Sequence, residues 1–187
     1  MRNNQDRVSA ITKGEDAPIQ QPQQFVELPS RGAFYPEGHP LCGVETIEIR
    51  HMTAKDEDIL TSAALLKKGI AIDRLLKNLI VDRAIKVADL LVGDKNAIIL
   101  AARISGYGAD YESAVVCPSC NSSVKFEFDL QQCPLLPHDI YEEHDVVLTS
   151  DGTFVIHVDK MNLDVEVRLL TSRDEMHLLQ LTENKRK

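Results

Sequence analysis

Two stretches of this chain match one another, and any fold assigned to it has to accommodate both. Residues 47–60 read IEIRHMTAKDEDIL and residues 165–178 read VEVRLLTSRDEMHL, with six of fourteen positions identical. The identities are Glu48/Glu166, Arg50/Arg168, Thr53/Thr171, Asp56/Asp174, Glu57/Glu175 and Leu60/Leu178. Upstream, LPSRGAFY at 28–35 lines up with LTSDGTFV at 148–155, sharing leucine, serine, glycine and phenylalanine. The offsets are 118 (165 − 47) and 120 (148 − 28), so the matches keep their order across a two-residue indel. A single helix start of this kind arises by convergence, because Thr-x-x-Asp and Ser-x-x-Glu caps are common. Two ordered matches at nearly one offset point instead to a duplicated strand–strand–helix unit. The first copy runs from Phe25 to Leu130. The second starts near Val146 and holds one helix before Lys187, so it reads as truncated unless a partner completes it.

The remaining pattern fills in the elements. Residues 1–24 are polar, rich in Asn, Gln and Asp, and read as a disordered arm. FVELPSRGAFYP from Phe25 predicts strand, turn, strand, and VETIEIR from Val44 alternates as a half-buried strand does. Thr53 with Asp56 three residues on predicts a capping box, followed by an apolar stripe of Ile59, Leu60, Ala63, Ala64 and Leu66. Asp73 and Asp94 are candidate caps of two further helices, the second ending at Gly106. YESAVV, CPSCNSS and VKFEFDL predict a hairpin with one buried and one wet face. Pro134 and Pro137 mark a linker, after which DVVLTSDGTFVIHV and LDVEVRLL predict strands and Ser172 a last helix. The expected fold class is α+β: small strand segments flank a helical cluster, with a zinc-ribbon-like CxxC hairpin and a partial duplicate module. The expected organisation is an arm (1–24), a first module (25–133), a linker (134–145) and a truncated second module (146–187).

Cys117 and Cys120 sit at the tip of the predicted hairpin, where half of a zinc ribbon carries its ligands. A closed tetrahedral site needs two more donors, and Cys42, Cys133 and His39 are the candidates. The alternative is a degenerate knuckle that keeps its shape without Zn2+. A redox CxxC normally opens a helix whose N-terminus lowers the thiol pKa, whereas this one joins two strands. The six histidines are scattered, with no HExxH, no P-loop and no GxSxG, so no constellation supports an enzyme. A net charge of −8 disfavours duplex DNA and anionic membranes, and no apolar run approaches the ~20 residues of a membrane span. The open end of the second module predicts unpaired apolar area near Leu178, Leu179 and Leu181, available to a second copy or another protein.

The ordered segments ELPSRGAFYP, IRHMTAKDEDIL, GIAIDRLL, GDKNAIILAARISGYG, VVCPSC and RLLTSRDE together resemble the baseplate hub and hub-assembly proteins of T4-type contractile-tailed bacteriophages. The resemblance spans residues 25 to about 182, with Asn121 standing where the pattern has glycine after CPSC. It implies a non-enzymatic hub-assembly factor whose partners are baseplate hub proteins, with homo-oligomer formation also open. It further implies action in the host cytoplasm during phage assembly or a place in the virion tail baseplate. A permanent baseplate subunit and a zinc-ribbon nucleic-acid or transcription adaptor are the alternative readings.

Overall fold

The computed structural model describes residues 21–134, 136, 139, 142, 144, 146–150 and 152–185 of the 187-residue chain. The predicted arm up to residue 20 and most of the predicted linker at 134–145 lie outside the described residues. Among the described residues the fold is mixed α+β, with three small antiparallel sheets and five α-helices.

The first sheet pairs β1 (Gln23–Glu27) with β2 (Thr46–Arg50), Val26 opposite Ile47 and Gln24 opposite Ile49. β1 therefore takes up the last two residues of the predicted arm. Alternation puts Val26, Ile47 and Ile49 on one face, and that face is buried. Covering it are Leu75, Leu76 and Leu79 of α3 (Ala71–Leu79) together with Ile80, which forms an isolated antiparallel bridge to Ile49. Leu90, Leu91 and the α4 (Val92–Tyr107) residues Ile98 and Ala102 join the cluster, with Leu28, Tyr35, Leu41 and Val87.

The predicted second strand within FVELPSRGAFYP is not formed. Residues 28–45 instead make a turn-rich loop, closed by Leu28 N–H donating to Glu45 O at 2.8 Å. Gly32 makes the fold-back possible: its φ is +72°, and an added Cβ would lie 2.4 Å from Leu41 O and Val44 N. The loop is held down on Asp94, whose oxygens accept from Ser30 N–H (3.0 Å), Ser30 Oγ–H (2.6 Å) and Tyr35 Oη–H (2.8 Å). Tyr35 Oη in turn accepts from Leu91 N–H at 3.1 Å.

Four helix expectations are corrected. Asp94 lies in the first turn of α4, not at its cap, because its carboxylate is taken by the loop. Asp73 likewise lies inside α3, which starts at Ala71, and pairs with Lys95. The stripe after Thr53 breaks at Ser62 into α1 (Ala54–Thr61) and the short α2 (Ala63–Lys67). The break turns Ala63, Ala64 and Leu66 outward, leaving Ile59 and Leu60 partly buried. The end of α4 is Gly108, at φ +86°, two residues beyond the predicted stop.

β3 (Asp110–Val116) and β4 (Ser123–Asp129) form the predicted hairpin in full register, Tyr111 opposite Phe128 and Val116 opposite Ser123. Its expected buried face is open to solvent, with Val124, Phe126 and Phe128 all exposed. The last sheet orders β5 (Val146–Leu148), β6 (Phe154–Val158) and β7 (Leu163–Val167), followed by α5 (Ser172–Lys185).

A fully buried leucine and an exposed hairpin phenylalanine give opposite expectations. Leu76→Ala lowers unfolding free energy by about 2–5 kcal/mol in urea titrations, whereas Phe126→Ala stays within about 0.5 kcal/mol of the parent chain. The reverse order would show the core to be misplaced.

Candidate interaction surfaces

Thr53 and Thr171 begin helices that follow strands, and the same hydrogen bonds form at both corners. At the first, Asp56 accepts from Arg50 through both oxygens (2.7 and 2.9 Å) and from Thr53 N–H and Oγ1–H (2.9 and 2.7 Å). At the second, Asp174 accepts from Arg168 (2.7 and 2.7 Å) and from Thr171 N–H and Oγ1–H (2.9 and 2.8 Å). Each arginine also donates to the carbonyl of the next residue, His51 or Leu169. Bidentate guanidinium bonding and the threonine donors hold both carboxyls well below the usual carboxylate range.

The setting of the two corners differs. Asp56 is buried, and Arg50 also reaches Asn78 O of α3 at 3.0 Å, tying the first corner to the core. Arg168 stands largely in solvent. The second corner docks instead through residues 170–175. Thr171 bridges Leu91, with Val92 N–H donating to Leu170 O (2.9 Å) and Ser172 N–H to Leu90 O (2.8 Å). Buried Lys95 of α4 donates to Ser172 Oγ (2.9 Å) and lies 3.0 Å from both Glu175 and Asp73. Burial pulls the lysine pKa down, but the bonds and attraction from Asp73 and Glu175 outweigh it, leaving it raised. Arg173 pairs with Asp89 at 2.5 Å, and the rings of Phe34 and Phe154, which the sequence match aligns, meet at 5.4 Å.

Past this docking line the C-terminal segment opens. The register of β5–β7 gathers Leu148, Phe154, Ile156, Leu163, Val165 and Val167 on one face, opposite Val147, His157, Asp164 and Glu166. Phe154 is 7% exposed, but Leu163 is 52% and Val167 38%. The contrast with the aligned Ile49, at 0%, is direct: α3 covers the first face and among the described residues no helix covers the second. Leu178, Leu179 and Leu181 on α5 are 50%, 54% and 45% exposed, where Leu60, aligned with Leu178, packs on the core.

The cysteines are dispersed apart from one pair. Cys117 and Cys120 share the β3–β4 tip, closed by Cys117 N–H to Ser122 O and Asn121 N–H to Cys117 O, both 2.9 Å. Asn121 adopts φ +57°, a left-handed conformation that asparagine tolerates. Cys120 Sγ lies 3.0 Å from Ser122 Oγ; that hydroxyl first, then the neighbouring backbone and Cys117, lowers the thiol pKa. Cys133 is exposed beyond the hairpin base and Cys42 is exposed in the 28–45 loop. His39 stacks on Tyr35 at 4.5 Å while its Nδ1 accepts from Leu41 N–H. Among the described residues no three His, Cys, Asp or Glu side chains gather as a metal site, and no helix is long and apolar enough to cross a membrane.

A family model described as T4 bacteriophage base plate protein matches residues 22–163. No curated protein and no solved structure matches.

Asp56→Ala removes the buried carboxylate that a half-buried Arg50 and the Thr53 donors share, and lowers stability at neutral pH by about 2–3 kcal/mol. The same change at Asp174, whose partner Arg168 stands in solvent, costs far less. Because the folded pKa of Asp56 is depressed, its contribution is complete above the ordinary carboxylate pKa of ~3.9. That contribution fades as pH falls from there towards the depressed folded pKa, so the gap between parent and variant starts to narrow below about pH 4 and closes only well under the ordinary carboxylate range. Denaturant midpoints across a pH series check both statements.

Proposed function

The chain belongs to the T4 bacteriophage base plate protein family, and from that premise we propose that it is a non-enzymatic hub-assembly factor. It acts by binding baseplate hub proteins through the open apolar face of its C-terminal segment. The observation that carries this reading is the unequal burial of aligned positions. Ile49 and Leu60 are packed, while Val167 and Leu178 are open. We read the two strand–helix corners as copies of one unit; among the described residues α3 covers only the first, and a partner's apolar surface would supply the cover of the second. Soluble chains seldom leave contiguous apolar area of this kind uncovered without a binding role.

The chemistry of the surface agrees with an assembly role. The exposed residues Leu163, Val167, Leu178, Leu179 and Leu181 are aliphatic, suited to burial and carrying no reacting group. An acidic chain of net charge −8 stays dispersed before its partner arrives and is repelled from nucleic acid. The zinc-ribbon adaptor reading therefore has little electrostatic support. In this reading the arm gives way to the first module where β1 begins at Gln23, the first module runs to 133, and the linker and second module keep the bounds 134–145 and 146–187.

Co-expression with the other hub proteins of the same phage tests the proposal. The expected result is a complex of defined mass that the parent chain forms and the Leu178→Glu/Leu179→Glu double variant does not. The variant retains the parent's circular dichroism and unfolding midpoint, since both positions are exposed. A chain that ignores every hub protein overturns the reading. Mass spectrometry of purified virions separates the two roles: stoichiometric presence would make it a permanent baseplate subunit instead.

A further inference from the structure

The β3–β4 hairpin carries a second open surface, continuous with the cysteine pair. Its register places Tyr111, Val115, Val124, Phe126 and Phe128 on one face. Asp110, Glu112, Lys125, Glu127 and Asp129 lie on the other. The ladder continues one step past Val116–Ser123, because Cys117 N–H donates to Ser122 O. Alternation therefore puts Cys117 and Ser122 on the apolar side of the ribbon. Cys120 comes to the same side, with its Sγ against Ser122 Oγ. Dithiol and apolar face form one stripe, running from the Tyr111–Phe128 ring pair (5.1 Å) at the base to the tip. A two-stranded ribbon with an uncovered apolar face is marginal alone in water.

We propose that this stripe is half of a four-thiolate zinc site, completed by the same stripe of a second copy of the chain. Zinc in a structural site takes four tetrahedral donors at about 2.3 Å from sulfur, and each tip supplies two thiolates. A two-fold axis along the length of the hairpins brings both tips to the same end. The same operation lays Val115, Val124 and Phe126 of one hairpin on those of the other, at about the 10 Å separation of packed sheets. The acidic groups then face outward on both copies, so the contact buries no like charges. This inference does not depend on the C-terminal face or on its hub partner.

The test uses the full reduced chain, titrated with Zn2+ alone while mass is followed by light scattering. The expected result is a metal-free monomer that becomes a dimer at about one zinc per two chains, reversed by a chelator. Co2+ in place of zinc should give the intense visible bands of tetrahedral thiolate coordination. Cys120→Ser remains monomeric at every zinc concentration, with unchanged unfolding of the core. Phe126→Asp keeps all thiols yet weakens zinc-driven dimerisation by about tenfold or more, through lost apolar burial. Zinc saturating at one per monomer, no zinc uptake, or equal dimerisation in chelator and in Cys120→Ser would each overturn the proposal. So would a site that closes only on adding a different protein.

Discussion

Two adjacent buried charges at the start of α4, Asp94 and Lys95, hold the molecule in its arrangement. Neighbours on a helix point about 100° apart, so each serves a different segment. Asp94 gathers Ser30 and Tyr35 and fixes the 28–45 loop over the helix start. Lys95 gathers Asp73 from α3 and Ser172 and Glu175 from α5, fixing the C-terminal segment. A buried charge left alone is expensive, so neither segment can leave without exposing or stranding its ion. Apolar contacts supply the larger share of cohesion, but they are tolerant of sliding. These two ions specify which segments meet.

The two helix corners show how one local motif takes different energetic meanings in different surroundings. Arg, Thr and Asp at fixed spacing make the same bonds at Thr53 and Thr171 because the geometry is local to the turn. Burial then decides the consequence. Asp56 is buried and α3 adds Asn78 O to Arg50, so the pair is anchored against the core. Around Asp174 solvent screens the same pair, and the corner is positioned by Thr171, Ser172 and Glu175 on their neighbours instead.

Local features were legible in the sequence, and their partners were not. The capping box at Thr53, the hairpin around CPSC, the strands at 146–167 and the helix from Ser172 are all set by short-range periodicity and turn chemistry. The errors that moved whole segments came where a distant residue claimed a side chain. Asp73 and Asp94 have the look of caps, but Lys95 and the Ser30–Tyr35 loop take their carboxylates. Phe34 and Tyr35 read as strand residues, yet Tyr35 is needed by Asp94 and Leu91. Lys95 itself carries no local signal, since its three partners lie in two other helices. Alternation in VKFEFDL identifies an apolar face correctly but is silent on whether anything covers it.

That silence bears on how the exposed faces are to be understood. Amphipathic alternation arises wherever a strand buries one side, whether the cover comes from its own chain or from another. The β1–β2 face finds its cover in α3. The faces of β3–β4 and β5–β7 have the same pattern, yet Phe126 and Leu163 remain open. A surface patterned for burial and left exposed is information about what lies outside the chain. The aligned pair Ile49 and Val167 makes the point within one molecule: equivalent positions in matching segments, one covered and one exposed.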